Sequence, residues 1–433
     1  MNANELQGLG LNMLNRFAQS DWPDRLRVRK SFEKLLYTGS RTGFQLVGTL
    51  SRGFGGNKSG KLDNKQRLPA AAKGLFDLSI SEEQQMMRDT LQRFAKDVLR
   101  PAAHAADHDA LFPASVRGEA LELGLNFYAV PEALGGMAAE QSVVSNVLMA
   151  EDLGYGDFTL GAAILAPMGV ANALTRWGSK EQQEKYLAAF AEEQPPIATF
   201  ALNEAVPAFN PGQLATTATR DGAAYVLNGE KALVLLGKDA ELFLVAAQLD
   251  GKPAVFIVEG GARGLGFKED PAMGLKAAET LKMRLDNVRA EKLGGDDFDY
   301  QAFLDLGALA WIGLAIGTCQ AVLDYTAHYA NERIAFGEPI SHRQSVAFMI
   351  ADMAIEIDAM RMLLWNAASL AEAGKPFHRE AYLARLLAAE KSMKIGNDGV
   401  QILGGHGFTK EHPVERWYRD LRSVALMHSG LHA

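Results

Sequence analysis

The chain has 433 residues, of which 48% are hydrophobic, and it carries a formal net charge of −8. This length allows two or three domains with a sizeable core, and the composition is that of an ordinary globular protein. The only cysteine, Cys319, excludes an intramolecular disulfide and fits a reducing cytoplasm. No apolar run reaches the roughly 18 residues of a membrane-spanning helix, and no signal peptide is expected, so the sequence predicts a cytoplasmic protein.

Residues 1–75 are predicted to form a basic N-terminal extension. Residues 1–73 hold 13 Lys and Arg against 5 Asp and Glu, a net charge of +8, so the remainder carries −16. A glycine-containing stretch over residues 52–60 is typical of a linker, and residues 25–36 could form a short basic amphipathic helix. Two alternatives stay open: a solvated tail, or a weak contact with anionic membrane or a negatively charged partner, which would make the protein peripheral to a membrane.

A helical domain is predicted over residues 76–195. Ser81 and Gln84 form a capping-box pattern at the start of its first helix. Apolar residues follow at helical spacings of 4, 3 and 4, at Met87, Leu91, Phe94 and Val98. Pro101 is expected to end this helix, because proline cannot donate a backbone hydrogen bond. The helical pattern then continues, with loops, to about Glu193.

A central antiparallel β-domain is predicted over residues 196–300, where the hydrophobic period shortens. Two hairpins are expected where a turn dipeptide separates two apolar runs, at Asn228-Gly229 and at Asp250-Gly251. Over residues 281–286 three apolar side chains alternate with three charged ones, which is typical of a half-buried strand.

Residues 301–433 are predicted to be helical again. Apolar residues recur at spacings of 4, 3 and 4, at Met353, Ile357, Met360 and Leu364. A further helix is expected over roughly residues 378–403. The order of these elements predicts an α+β chain with an N-terminal helical domain, a central antiparallel β-domain and a C-terminal four-helix bundle.

No metal site is expected from the sequence. Two histidine pairs are spaced by four residues, His104 with His108 and His428 with His432, but neither has the surrounding ligands of a metal signature. No glycine-rich dinucleotide loop, phosphate-binding loop or nucleophile elbow is present, and no nucleic-acid partner is expected.

Two glycine-containing blocks are the best candidates for ligand binding. The first is Arg333-Ile334-Ala335-Phe336-Gly337, followed by Gln344, and the second is Gln401 to Phe408, which includes Gly404 and Gly405. Glycines after a helix let the backbone approach an anionic ligand, an arginine can bind a phosphate, and a phenylalanine can pack on a flat ring. From the residues alone, an anion site and an ordinary pair of helix ends with surface charges remain alternatives.

At these blocks the chain resembles the acyl-CoA dehydrogenase family. Further segments support the resemblance in the same order, namely Val130 to Gly136, Trp177 to Gln182, Tyr225 to Lys231 and Met273 to Lys276. The resemblance covers about residues 76–429. It implies the family's fold, a helical domain, a β-domain and a four-helix bundle, and a homodimer or homotetramer that holds FAD between domains and subunits.

The resemblance also implies the residues that bind the cofactor. The pyrophosphate and adenosine end of FAD would be held by Arg333, Phe336 and Gln344. The FAD of the neighbouring subunit would be contacted by Gln401, Gly404 and Gly405. The implied reaction of fatty acid β-oxidation removes a pro-R α-proton from an acyl-CoA and transfers the β-hydride to the flavin. Its product is a trans-2-enoyl-CoA, and an electron-transfer flavoprotein is the expected electron acceptor.

Several positions depart from the family's pattern. The place of the usual catalytic glutamate falls on His428, and the alternative place on the first C-terminal helix falls on Gly307. The arginine that normally follows the latter is Ala308. In the β-domain, Leu233 and Leu235 stand where the family has a tryptophan and a hydroxyl beside the flavin.

These departures leave two hypotheses. In the first, the chain is an active acyl-CoA dehydrogenase in which neutral His428 is the catalytic base, and its rate rises with pH through a pKa near 6.5. In the second, the chain is a degenerate, noncatalytic flavoprotein or a partner subunit of an acyl-CoA dehydrogenase complex.

Overall fold

The computed structural model describes residues 79–137, 141–206, 209–428 and 431–433. Residues 76–433 form one compact unit. The basic extension predicted over residues 1–75, with its expected membrane contact, lies outside the described residues. The described chain is helical first, then forms a β-sheet, and is helical again.

The first part contains helices α1 (Glu82–Phe94), α2 (Arg100–Asp109), α3 (Ala114–Glu122), α4 (Val143–Gly156), α5 (Phe158–Trp177) and α6 (Lys180–Phe190). The predicted capping box is confirmed, because the Ser81 hydroxyl accepts from the Gln84 amide at 3.1 Å. The expected stop at Pro101 is wrong. A π-helical segment, Ala95–Leu99, joins α1 to α2, and its wider turn places the proline in the first turn of α2.

The sheet contains strands β1 (Ala198–Ala201), β2 (Thr217–Asp221), β3 (Ala224–Val234), β4 (Leu242–Leu249), β5 (Lys252–Glu259), β6 (Leu265–Glu269) and β7 (Leu281–Lys292). The strand order β1-β4-β2-β3-β7-β5 closes on itself, because β5 also pairs with β4. Most pairs are antiparallel as predicted, but β1 and β2 both run parallel to β4. Hydrophobic alternation does not encode strand direction, so the sequence pattern could not reveal these two pairs.

The hairpin predicted at Asn228-Gly229 is wrong. Strand β3 runs through both residues, and a register shift in its pairing with β7 marks a β-bulge there. Gly229 has φ 150°, and a Cβ on it would lie 2.7 Å from the Thr216 Cα, so the bulge requires glycine. The turn between β2 and β3 lies instead at Gly222-Ala223. The second predicted hairpin is confirmed, with Asp250 and Gly251 both at positive φ.

The last part contains the long helices α7 (Tyr300–Glu332), α8 (Gln344–Glu372) and α9 (His378–Leu403), followed by the short helix α10 (Val414–Leu421). Between α7 and α8 lies a small hairpin of β8 (Ile334–Ala335) and β9 (Glu338–Pro339). The predicted apolar stripe of α8 is buried, which confirms its orientation. Helix α7 packs closely on α4, since a Cβ on Gly317 would lie 1.9 Å from the Glu151 carbonyl oxygen.

Two helices, α5 and α7, are long and apolar enough to cross a membrane by length and composition. The sequence-based expectation that no segment meets this length is therefore wrong. In each helix 89% of the apolar window is buried inside the folded chain, as in the core helices of a globular domain.

Buried ion pairs join the three parts of the fold around α10. Arg416 binds Asp157 at the start of α5, with both side chains at most 6% exposed. Arg419 makes two hydrogen bonds to Asp107 of α2, at 2.8 and 3.0 Å. Asp420 accepts from the Leu275 amide of the β-domain at 2.9 Å. Asp107 is therefore a buried contact between domains.

Candidate active site

The first group of predicted cofactor residues lies around the β8–β9 hairpin. Phe336 and Gly337 form its two-residue turn with φ of 56° and 86°, and the Phe336 side chain is 96% exposed. A large apolar residue is strained in the left-handed region and is disfavoured in water. Arg333, also exposed, caps the end of α7, and Gln344 is the first residue of α8. An exposed aromatic ring on a strained turn is a candidate contact for a ligand or a partner.

The second group lies where α9 ends. Gly404 follows the helix at φ 59° and ψ −129°, a conformation open essentially to glycine alone. Gln401, Gly404 and Gly405 are exposed, and a Cβ built on either glycine would meet no atom within 4 Å. Phe408, close by in sequence, is 88% exposed. We name the six predicted cofactor residues of these two groups the anchor surface: Arg333, Phe336, Gln344, Gln401, Gly404 and Gly405.

His428 lies apart from the anchor surface, in a half-buried position between the β-domain and α9. Its backbone amide donates to the Asn203 side-chain oxygen at 3.3 Å, and Asn203 also donates to the Leu426 carbonyl at 3.0 Å. Arg385 of α9 lies 3.3 Å from the imidazole Nε2 and donates to the Met427 carbonyl at the same distance. We name His428, Asn203 and Arg385 the base site.

Arg385 fixes the protonation of the imidazole. A guanidinium can only donate, so Nε2 must accept and the proton of the neutral ring resides on Nδ1. Burial, followed by the positive charge of Arg385, lowers the pKa of His428 to about 4. The ring is therefore neutral at pH 7, and burial and Arg385 account for the difference from the unperturbed pKa of about 6.5.

The positions that replace the family's tryptophan and hydroxyl also face His428. Leu233, Leu235 and His428 line one cavity of about 10 Å³, together with Thr199, Phe200, Leu202, Asn203 and Met427. This is roughly the volume that admits one water. The structure thus brings His428 together with Leu233 and Leu235, which lie in a different part of the sequence.

Residues 431–433 pack directly behind this cavity. The His432 ring stacks on Phe200, with ring centroids 4.7 Å apart. The backbone carbonyl of His432 accepts a hydrogen bond from the Asn172 side chain at 3.1 Å. Gly169 admits the segment, since a Cβ there would lie 2.0 Å from the Leu431 carbonyl oxygen. Burial lowers the pKa of His432 to about 3, so its ring is neutral and packs among the aromatic side chains of Phe200 and Phe303.

A buried ion pair next to Asn203 in the chain supports this residue. Lys231 donates to Glu204 at 2.8 Å, and their side chains are 0% and 3% exposed. Glu204 also accepts from the amides of Ala215 and Thr216. Burial lowers the pKa of Lys231 to about 8, and the nearby Glu204 carboxylate limits that decrease. This pair fixes the loop that carries Asn203.

The alternative base position is structural in this chain. Gly307 and Ala308 are both buried in α7. The nearest acid in sequence on that helix, Asp305, is hydrogen bonded to His378 at 2.8 Å, and burial raises the pKa of Asp305. Sequence reasoning did not connect Arg385 or Asn203 with His428, because each reaches His428 from a distant part of the chain.

The fold and these sites define a three-domain flavoprotein dehydrogenase. The family description "Acyl-CoA dehydrogenase, N-terminal domain" matches residues 81–194, the middle domain matches residues 199–288, and the C-terminal domain matches residues 299–428. The chain belongs to the acyl-CoA dehydrogenase family, and FAD is its cofactor.

Relatives with known functions agree with this assignment. The short-chain specific acyl-CoA dehydrogenase of Bos taurus mitochondria is 35% identical over 80% of this chain and 86% of its own length. Butyryl-CoA dehydrogenase from Megasphaera elsdenii is 28% identical with a TM-score of 0.74, covering 81% of this chain and 95% of that one. A chain solved in work on the electron transferring flavoprotein of Acidaminococcus fermentans is 31% identical with a TM-score of 0.73, covering 81% and 94%.

The residues present fit the pyrophosphate and adenine end of FAD better than its flavin end. At the anchor surface an exposed arginine, an exposed aromatic ring and open glycine backbone offer what a pyrophosphate and an adenine need. At the base site a cavity of about 10 Å³ is far smaller than a flavin ring, so the lining side chains must separate to admit one.

Proposed function

We propose that this chain is an FAD-dependent acyl-CoA dehydrogenase that forms a trans-2-enoyl-CoA from a fatty acyl-CoA, with His428 as its base. The observation that carries the proposal is the convergence of His428 with Leu233 and Leu235 on one cavity. The short-chain specific and butyryl-CoA relatives support a short acyl chain as the substrate.

The base site would remove the α-proton of the substrate. When bound, FAD supplies the acceptor for the hydride that leaves the β-carbon. Nε2 of His428 is the atom that would take the proton, because Nδ1 already carries one. Arg385 must release Nε2 first, and Asn203 keeps the backbone of His428 in place while it does so.

The anchor surface would bind FAD across an oligomer. Arg333 would pair with the pyrophosphate, Phe336 would pack on the adenosine end, and Gly404 and Gly405 would present backbone amides to the partner subunit's cofactor. Exposed apolar side chains of the same helical domain support a homodimer or homotetramer, among them Phe336, Phe348, Ile355, Tyr382, Leu386 and Phe408. An electron-transfer flavoprotein is the proposed electron acceptor.

A noncatalytic flavoprotein or partner subunit is the second candidate. The contact between Arg385 and Nε2 favours it, because a lone pair already engaged by a guanidinium cannot take a proton. A pKa of about 4 also makes His428 a weak base compared with an ordinary histidine.

Anaerobic stopped-flow mixing with saturating acyl-CoA of different chain lengths tests the first candidate. We expect flavin reduction with short chains, and a decrease of at least about tenfold in His428→Ala while FAD stays bound. His428→Glu restores the family's residue and is the matched variant, which should keep or raise the rate.

Two outcomes separate the candidates. If the wild type reduces its flavin and His428→Ala does so equally fast, His428 is not the base. If the wild type shows no reduction with any chain length whereas His428→Glu does, the noncatalytic candidate is correct.

A further inference from the structure

We propose that His406, Glu411 and His412 form a binding site for a divalent transition-metal ion of the zinc type. This site is separate from the base site and plays no part in the proposed reaction. Donor atoms of all three side chains lie within 4.8 Å of one another. All three residues lie within the loop between α9 and α10, which begins at Gly404.

The donor set selects the class of metal. Two imidazole nitrogens with one carboxylate oxygen suit Zn²⁺, Co²⁺, Ni²⁺ or Cu²⁺, whereas Mg²⁺ and Ca²⁺ prefer oxygen ligands alone. Zinc binds nitrogen at about 2.0–2.1 Å and oxygen at about 2.0–2.2 Å, so tetrahedral donors lie about 3.4 Å apart. His406 and Glu411 are exposed, so their side chains can rotate and bring the donor atoms to this spacing.

His412 is already oriented for such a role. Its Nδ1 lies 2.6 Å from the Tyr325 hydroxyl, and its ring also meets the Tyr329 ring edge-on at 5.7 Å between centroids. A metal on Nε2 requires the proton on Nδ1, which would then donate to the tyrosine oxygen. Metal-binding histidines are commonly held by an outer partner of this kind.

His406 is held by the loop itself. Its carbonyl accepts from the Thr409 amide at 3.2 Å and from the Thr409 hydroxyl at 2.9 Å. These bonds close the turn that brings His406 to His412, with ring centroids 5.6 Å apart. The backbone is therefore set, and only side-chain rotation separates the cluster from a coordinating geometry.

Nearby positive charges oppose the binding of a cation, but an ion pair neutralises part of this charge. A cleft of about 880 Å³ adjoins Glu411 and His412 and is also lined by Arg100, Lys410 and Arg416. Arg416 is paired with Asp157, and Arg100 donates to the carbonyls of Tyr155 and Gly156. The cleft gives a hydrated ion access to the cluster, and water can complete the coordination.

Calorimetric titration of the FAD-loaded full chain with Zn²⁺ tests the proposal. The protein carries no polyhistidine tag and is first stripped with a chelator, and bound zinc is counted by atomic emission after dialysis. We expect one ion per chain, an increase in the thermal unfolding temperature with zinc, and loss of both effects in His406→Gln and in His412→Ala. Tyr325→Phe should weaken binding by about 10–100-fold while keeping the stoichiometry.

His328→Ala is the matched control, because His328 is an exposed histidine 3.3 Å from Glu332 that lies outside the cluster. It should bind zinc as the wild type does. Absence of stoichiometric binding, or equal binding in the wild type and His406→Gln, overturns the proposal. Since His406 is exposed, His406→Gln is expected to fold even if His412→Ala does not.

Discussion

The anchor surface and the base site differ in both sequence and environment. The residues that the resemblance assigns to cofactor binding lie on the exposed anchor surface, whereas His428, at the place of the family's glutamate, is half-buried beside a cavity of about 10 Å³. An exposed binding residue acts through its own chemistry and local backbone. A buried one acts through its neighbours, as His428 does through Arg385. The comparison teaches that the proposed cofactor residues and the proposed base depend on different features of the fold.

The largest expected effect is on the free energy of unfolding, and it concerns the buried Lys231–Glu204 ion pair next to the base site. Lys231→Ala leaves Glu204 buried without its cation, and the free energy of unfolding should fall by about 3–5 kcal/mol. Denaturant titration measures it. Lys185→Ala, which breaks an exposed pair with Glu259, is the control and should change stability by less than about 1 kcal/mol. Similar losses in both variants would show that the base site does not depend on the buried pair.

At the anchor surface, Arg333→Ala should weaken FAD binding without affecting the fold. A charge-assisted hydrogen bond contributes about 1.5–3 kcal/mol, so affinity should fall by about 10–100-fold. Fluorescence titration of the apoprotein with FAD gives the affinity. Arg220→Ala removes an exposed arginine of β2 and should bind FAD normally. If the two variants bind alike, Arg333 does not contact the cofactor.

Removing the cation from the base site should change the titration of its imidazole. In Arg385→Met the pKa of His428 should rise from about 4 towards 6.5, but remain below it because burial is the larger cause. Proton NMR of the imidazole against pH measures the shift in both proteins. An unchanged pKa would mean that Arg385 does not contact the ring in solution.

The smallest expected effect is the pH dependence of the proposed reaction. His428 is already neutral above a pKa of about 4, so its titration should leave the rate of flavin reduction unchanged between pH 6 and 8. A rate that rises through pH 6.5 would contradict this.

The stability of the chain has its own pH dependence. Because the folded pKa values of His428 and His432 are lowered to about 4 and 3, the unfolded chain binds more protons below about 6.5. These two histidines should therefore lower stability from pH 7 to pH 5, whereas Asp420, whose pKa burial raises to about 7, acts in the opposite direction.

Local sequence signals determined much of this fold. The Ser81 capping box, the apolar stripe of α8, the turn at Asp250-Gly251 and the helix over residues 378–403 were all predictable, because each depends on residues near one another in the chain. Family motifs, read in order, determined the domain architecture and the cofactor.

Tertiary structure alone decided the remainder. The bulge at Gly229 replaced a predicted turn because β3 and β7 pair through it, and Pro101 stayed helical because a π-turn precedes it. The protonation of the His428 ring depends on Arg385, which is 43 residues away in the sequence. The position of its backbone depends on Asn203, which is 225 residues away. Burial and a charge brought from distant elements set its pKa, and neither is encoded in the residues that flank it.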